Sequence, residues 1–181
     1  MPATEISPEP GKKDEIIYRL PCSADGANVW RLVASCKPLD ENSLYCNLLQ
    51  CDHFAGTSVV AERRSDGALV GWISGYLIPG EPETLFIWQV AVDPSVQGRG
   101  VAKRMLSAIV ARDACRHVTS LKTTITDDND ASWALFSSFA RTRGGDLQRA
   151  PHFREDLHFG GKHATEHMVT IRFSESVENA A

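Results

Sequence analysis

The 181-residue sequence has no apolar run near the roughly 20 residues that a bilayer span needs. Its opening stretch, MPATEISPEPGKKDE, lacks a basic start followed by an apolar segment, so no secretory leader is expected. The cysteines, Cys22, Cys36, Cys46, Cys51 and Cys115, are odd in number and contain no C-x-x-C pair. A disulfide framework and a thiolate zinc site are therefore not expected, and reduced, mostly buried thiols in a cytoplasmic protein are. Positive charge is not in excess either. Lys and Arg number 19 against 23 Asp and Glu, a formal net charge of −4. Nucleic acid is thus not an expected partner, whereas a small cationic molecule suits the balance. What is present is an ordinary globular composition, 43% hydrophobic, at a length that fits one domain with a real core.

Residues 1–13 hold three prolines and little apolar content, and residues 174–181 are similarly polar, so both ends read as flexible tails around a single domain over 14–173. Within it, residues 16–20 read as a strand closed by Pro21. A helix opens at Asp25 and Gly26, runs through Val29, Trp30, Leu32 and Val33 as an apolar face, and stops before Pro38. Residues 39–49 begin with cap-type residues and predict a second helix. Residues 58–62 and 69–78 predict a hairpin around Ser65-Asp66-Gly67. An apolar strand follows over 84–92, then a helix over 100–115, a β-branched strand over 121–126, a helix over 131–142, a Gly/His-rich stretch, and a closing strand over 168–173. The expected order is strand, two helices, three strands, helix, strand, helix, strand, which is a mixed α/β domain.

The segment that carries chemistry is Trp88-Gln89-Val90-Ala91-Val92-Asp93-Pro94-Ser95-Val96-Gln97-Gly98-Arg99-Gly100-Val101-Ala102, followed at once by an amphipathic helix. A buried strand ends at Asp93-Pro94, and a turn with two glycines opens the helix. Free backbone N–H groups and the positive end of the helix dipole meet there, which makes an anion site suited to pyrophosphate. Neither common phosphate loop fits, because Lys103 is misplaced for G-x-x-x-x-G-K-[ST] and stands where G-x-G-x-x-G needs its last glycine. What fits is [QR]-x-x-G-x-[GA], as Gln97-Gly98-Arg99-Gly100-Val101-Ala102, after a strand ending Val-Asp-Pro. Further on, Asn129 opens a helix directly after a strand, where it either caps that helix or bonds a ligand.

This combination resembles the acetyl-CoA site of the GCN5-related N-acetyltransferase (GNAT) superfamily. The resemblance implies the GNAT acyl-CoA N-acyltransferase fold, with a mixed, mostly antiparallel sheet flanked by helices. It implies acetyl-CoA as co-substrate, held by Val90, Ala91, Val92, Gln97, Gly98, Arg99, Gly100, Val101, Ala102, Asn129, Ser132 and Phe136. Many relatives carry a Tyr near the last of these to protonate the leaving thiolate. Phe136 has no proton to give, so another group or a water must act.

The likeness extends beyond the cofactor segment. Pro38-Leu39-Asp40-Glu41-Asn42-Ser43-Leu44-Tyr45, His53-Phe54, Leu85-Phe86-Ile87-Trp88-Gln89-Val90, Thr123-Thr124-Ile125-Thr126 with Asn129, and His158-Phe159-Gly160-Gly161-Lys162-His163 with Glu166 resemble the L-2,4-diaminobutyrate acetyltransferases of ectoine biosynthesis. That implies acetyl transfer to the 4-amino group of the diamine, in a homodimer, for a compatible solute made under osmotic stress. A site for such a substrate must hold an ammonium group, free the reacting amine and stabilise an oxyanion. Asp40, Tyr45, Trp88, His163 and Glu166 are the candidates for binding the diamine, with Val90 N–H at the oxyanion and Tyr45 or His163 in proton transfer. Spacing alone gives each an ordinary reading as well: Asp40 as a helix cap, Tyr45 and Trp88 as core, and His163 and Glu166, which a helix would place on one face, as surface residues. Four of the six histidines cluster between 152 and 167, but no H-E-x-x-H or thiolate pair completes a set, so no metal is expected. Two other functions remain open at this point: acetylation of a polyamine, an antibiotic or a protein N-terminus, and a non-catalytic acetyl-CoA-binding module.

Overall fold

The structure is a computed structural model that describes residues 15–173. The tails expected at 1–13 and 174–181 lie outside the described residues. In chain order the elements are β1 (Ile16–Arg19), α1 (Gly26–Ser35), α2 (Leu44–His53), β2 (Val59–Arg63), β3 (Leu69–Ile78), β4 (Glu81–Val92), α3 (Val101–Val110), β5 (Ser120–Thr126), α4 (Asp130–Thr142), β6 (Asp146–Phe153) and β7 (Glu166–Arg172). The strands form one sheet in the order β1-β2-β3-β4-β5-β7-β6. Every neighbouring pair is antiparallel except β4 with β5.

The layers follow from side-chain alternation. Along β2, Val59 and Ala61 enter one core while Val60 enters the other. The larger core lies between the sheet and α3 and α4, where Met105, Leu106, Ile109, Phe136 and Phe139 meet Ile73, Leu85, Ile87, Leu121 and Ile125. The second lies under α1 and α2, where Val29, Leu32, Val33 and Cys51 pack on Val60, Trp72 and Ala91. Both helical stripes repeat at three and four residues, as the sequence pattern predicts. Near the sheet's first edge, Arg19 donates to both carboxylate oxygens of Asp25 at 2.8 Å and to Glu62 at 2.7 Å. These bonds tie β1, β2 and the turn into α1 together.

Three expectations need correction. The second helix begins at Leu44, not at residue 39, because the Ser43 side chain accepts from Cys46 N–H at 3.1 Å and fixes the cap there. Residues 40–42 are irregular. The Gly/His-rich stretch was expected to hold no strand, yet β6 runs through its first part. That strand pairs on one side only and, apart from a half-buried Leu147, is exposed, so it has almost no alternation to read, and it carries Pro151 where an edge strand with a register shift allows it. Finally, His163 and Glu166 do not share a helix. His163 is in a loop and Glu166 is the first residue of β7.

Candidate active site

The site is organised by an irregularity in β4. Opposite β3, Gln89 pairs with Ser74 and Ile87 with Gly75, which leaves Trp88 as an extra, bulged residue. The bulge reverses the side-chain alternation. Leu85 and Ile87 face α3 and α4 before it, and Val90 and Val92 face the same way after it. Gln89 is thereby turned to the face of α1 and α2, where its Nε2 donates to the Asp40 carbonyl at 2.8 Å. Trp88 is 46% exposed, so it is not the core residue that its size alone suggests.

The same strand opens the sheet. The β4–β5 ladder holds Thr84, Leu85 and Phe86 against Ser120, Leu121 and Lys122. From Ile87 to Val92 the β5-facing edge of β4 has no strand partner among the described residues. Asp93 N–H donates to the Val70 carbonyl at 2.9 Å, so Val92 with Gly71, and two residues earlier Val90 with Ile73, are non-hydrogen-bonded pairs. The N–H and C=O of Val90 and Val92 consequently point away from β3, into the opening. The Val92 carbonyl is taken by Gln97 Nε2 at 3.1 Å and by the Cys36 thiol at 3.5 Å, while Val90 N–H is directed at whatever enters.

Beyond β4, Asp93 accepts from Ser95 N–H at 2.9 Å and closes a 3₁₀ turn. Gly98 and Gly100 then adopt φ of 73° and 74°. This left-handed region favours glycine, and Gly100 stands at the N-cap of α3 without a side-chain cap. The N–H groups of the first turn, at Val101 and Ala102, are thus not claimed by a capping side chain. Residues 97–100 are exposed, and a Cβ on Gly98 would meet nothing within 4 Å. Those glycines serve backbone shape and ligand approach rather than packing. Arg104 braces the loop by donating to the Arg99 carbonyl at 2.6 Å and to the Tyr18 hydroxyl at 2.8 Å.

Asp40 is exposed in the irregular segment before α2, and its carboxylate makes no hydrogen bond or ion pair among the described residues. Ser43 caps the helix, so Asp40 is left free of that duty. Tyr45, 69% exposed, stands on the first turn of α2. Glu166 faces the same side of the sheet from β7. Its odd-numbered neighbours Val169 and Ile171 enter the core under α3 and α4, which turns Glu166 the other way, toward the side of α1 and α2. Its carboxylate is 3.9 Å from His163 Nε2, and His163 Nδ1 is 2.8 Å from the Ala164 carbonyl. Asp40 and Glu166 therefore lie on one face of the sheet, on the β4 and β7 sides of the opening.

The remaining expected residues are more structural. Asn129 accepts from Ser132 N–H at 3.0 Å and caps α4, so its amide nitrogen is the end left for a ligand. Phe136 is 2% exposed in the larger core, which makes any effect on a cofactor indirect, through the placing of α4. Burial pushes the thiols of Cys36 and Cys46 up, Cys115 to about 11 and Cys51 to about 12. None of these four is poised as a thiolate nucleophile. No group of three or more His, Cys, Asp or Glu side chains among the described residues is arranged to hold a metal. Asn42 and Gln89 are two residues that the sequence reading passed over. Gln89 stood inside the quoted Trp88-Gln89-Val90 string, but no sequence pattern marks the bulge that aims it.

Comparison with known proteins decides the family. Residues 27–140 match the model of the Acetyltransferase (GNAT) family. The L-2,4-diaminobutyric acid acetyltransferase of Vibrio parahaemolyticus is 47% identical over 167 residues, covering 92% of this chain and 90% of the relative. The enzyme of the same name from Methylotuvimicrobium alcaliphilum is 46% identical over 151 residues, covering 83% and 87%. This chain belongs to the diaminobutyric acid acetyltransferase family. Among solved structures, the diaminobutyrate acetyltransferase EctA from Paenibacillus lautus, in complex with its substrate L-2,4-diaminobutyric acid and coenzyme A, superposes with a TM-score of 0.82 at 37% identity, covering 88% of this chain and 95% of that one. As a family member the chain is an acetyl-CoA-dependent acetyltransferase of GNAT fold. The parallel β4–β5 pair opening beside a glycine turn is the part of that fold that serves the chemistry.

Proposed function

We propose that this enzyme transfers the acetyl group of acetyl-CoA to the 4-amino group of L-2,4-diaminobutyrate, as the acetylation step of ectoine synthesis. The observation that carries the reading is the β4 opening. It sets a free Val90 N–H, an exposed Trp88 and the uncapped start of α3 on one strand and its exit, with two carboxylates on the adjoining face.

Acetyl-CoA supplies the activated acetyl thioester when bound. The residues present suit it: the first-turn N–H groups of α3 and the Gln97–Ala102 loop take the pyrophosphate, with Val90, Ala91 and Val92 along the arm and Asn129 and Ser132 opposite. Asp40 and Glu166 hold the ammonium groups of the diamine, and Trp88 walls the reacting one. The alkyl ammonium has a pKa near ~10 and must lose a proton before attack. His163, beside Glu166, is the assigned acceptor of that proton. The amine nitrogen then bonds to the acyl carbon, Val90 N–H donates to the oxyanion, and the carbon–sulfur bond breaks as the tetrahedral state collapses. The departing sulfur takes a proton from Tyr45, the role Phe136 cannot fill, and the second proton that the nitrogen sheds on becoming an amide restores the Tyr45 hydroxyl through solvent. Raised cysteine pKa values favour this direct transfer over an acyl-enzyme. The homodimer and the cytoplasmic location belong to the same proposal, and five unpaired cysteines suit a reducing compartment.

Single-turnover release of CoA tests the reading. Diaminobutyrate is expected to drive release at least about tenfold faster than ornithine or spermidine, a difference near 1.4 kcal/mol. Equal rates for all three would reassign the substrate, and release no faster than hydrolysis would leave a binding module.

A further inference from the structure

We infer that Gln89 is a positioning residue for the acceptor amine, and that it acts by clipping the Asp40–Asn42 segment to the bulge of β4. The inference rests on the assignment of Asp40 as an ammonium ligand. Asp40 lies in an irregular stretch between the turn after α1 and the Ser43 cap, so no helix or strand fixes its carboxylate. Two side-chain hydrogen bonds join residues 40–42 to the sheet among the described residues, and both belong to Gln89. Its Nε2 donates to the Asp40 carbonyl at 2.8 Å, and its Oε1 accepts from Asn42 Nδ2 at 3.4 Å. The orientation is forced. A carbonyl only accepts, so the amide must turn Nε2 to Asp40, which leaves Oε1 for the Asn42 amide.

Gln89 is only 8% exposed, which shields both bonds from competing water. It also sits between Trp88 and Val90. The backbone that directs Val90 N–H into the opening is thus the backbone that fixes the distance to Asp40. In a regular strand, Gln89 would share the face of Leu85 and Ile87 and point at α3. The extra residue at Trp88 is what turns it toward Asp40. The bulge therefore performs two tasks, exposing the indole and registering the ammonium ligand against the oxyanion donor. Lys37 and Glu41 pair on the exposed rim of the same loop, and they lend it no attachment to the sheet.

The test is a double-mutant cycle on the full chain with acetyl-CoA and diaminobutyrate. Gln89→Met keeps length and flexibility and loses both bonds. It is expected to raise the KM for the diamine about tenfold, the scale of one lost bond to a positioned group. The KM for acetyl-CoA and the Tm should stay close to those of the parent. In an Asp40→Asn background, the same change should add less than about twofold, because Gln89 acts through Asp40. If Gln89→Met does not fold, Gln89→Asn, an amide one methylene short of both partners, is read by the same criteria. An unchanged diamine KM, an equal loss in both backgrounds, or a parallel rise for both substrates overturns the inference while leaving the substrate assignment standing. A parent enzyme that does not acetylate diaminobutyrate overturns the substrate assignment, and this inference with it.

Discussion

Asp40 and Glu166 meet one face of the sheet from opposite ends of the chain, and each is released from ordinary structural duty in a different way. Asp40 is free because Ser43 takes the helix cap, and Glu166 is directed by strand parity. The two were legible in the sequence only through resemblance, since a carboxylate before a helix reads equally well as a cap. Truncating either charge should act on the diamine alone. Asp40→Asn and Glu166→Gln are each expected to raise the diamine KM about tenfold or more, with the acetyl-CoA KM within about twofold, as removal of a charge-assisted contact implies. Steady-state kinetics with each substrate varied in turn checks this. A second residue-scale prediction concerns stability. Arg19's hydrogen bonds, opposed by burial, hold the Asp25 carboxyl below its ordinary value. A depressed carboxyl stabilises the fold fully above its unfolded value near ~4, and that contribution is lost as pH falls below it. Asp25→Asn should therefore cost about 2 kcal/mol near neutral pH, less than a fully buried pair because Arg19 is partly exposed. The gap from the parent should narrow below about pH 4 in urea unfolding.

At the scale of elements, the glycine turn and the bulge do different kinds of work, and only the first is written in the sequence. Gly98 and Gly100 announce themselves by spacing after an apolar strand, and the structure gives both the positive φ that glycine favours. Gly100→Glu should weaken acetyl-CoA binding by at least about tenfold, because it sets strain and negative charge at the start of α3. Calorimetric titration measures this, and unchanged affinity would remove the anion site. The bulge leaves no such mark, since Trp88 is one apolar residue in an apolar strand. Only the pairing with β3 reveals it, because Ser74 and Gly75 are consecutive while their partners Gln89 and Ile87 are not. β6 was missed for a related reason: exposed apart from Leu147, it carries no period-two signal. Gly75 makes a further element-scale prediction. A Cβ there would lie 2.9 Å from the carbonyl oxygens of Phe86 and Thr57, backbone atoms that cannot swing aside. Gly75→Ala should lower stability by about 2 kcal/mol, or about 6 °C in Tm.

For the whole molecule, a net charge of −4 says little, because opposite local fields coexist in one chain. The start of α3 favours anions, while Asp40 and Glu166 favour cations across the β4 opening. The order of elements was largely predictable from periodicity and turn residues, and so was the α/β class. The divergence of two parallel neighbours after Phe86 and Lys122 was not, because strand pairing is a property of the assembled sheet. That divergence is what unites the two fields into one site, and it leads to the central claim: a diamino acid is acetylated at one particular nitrogen. The direct measurement is NMR identification of the product formed from acetyl-CoA and L-2,4-diaminobutyrate. The account predicts a single product acetylated on the 4-amino nitrogen, with one CoA released per acetyl transferred. Acetylation at the 2-amino nitrogen, a mixture of both, or CoA release without an acetylated amine would contradict it.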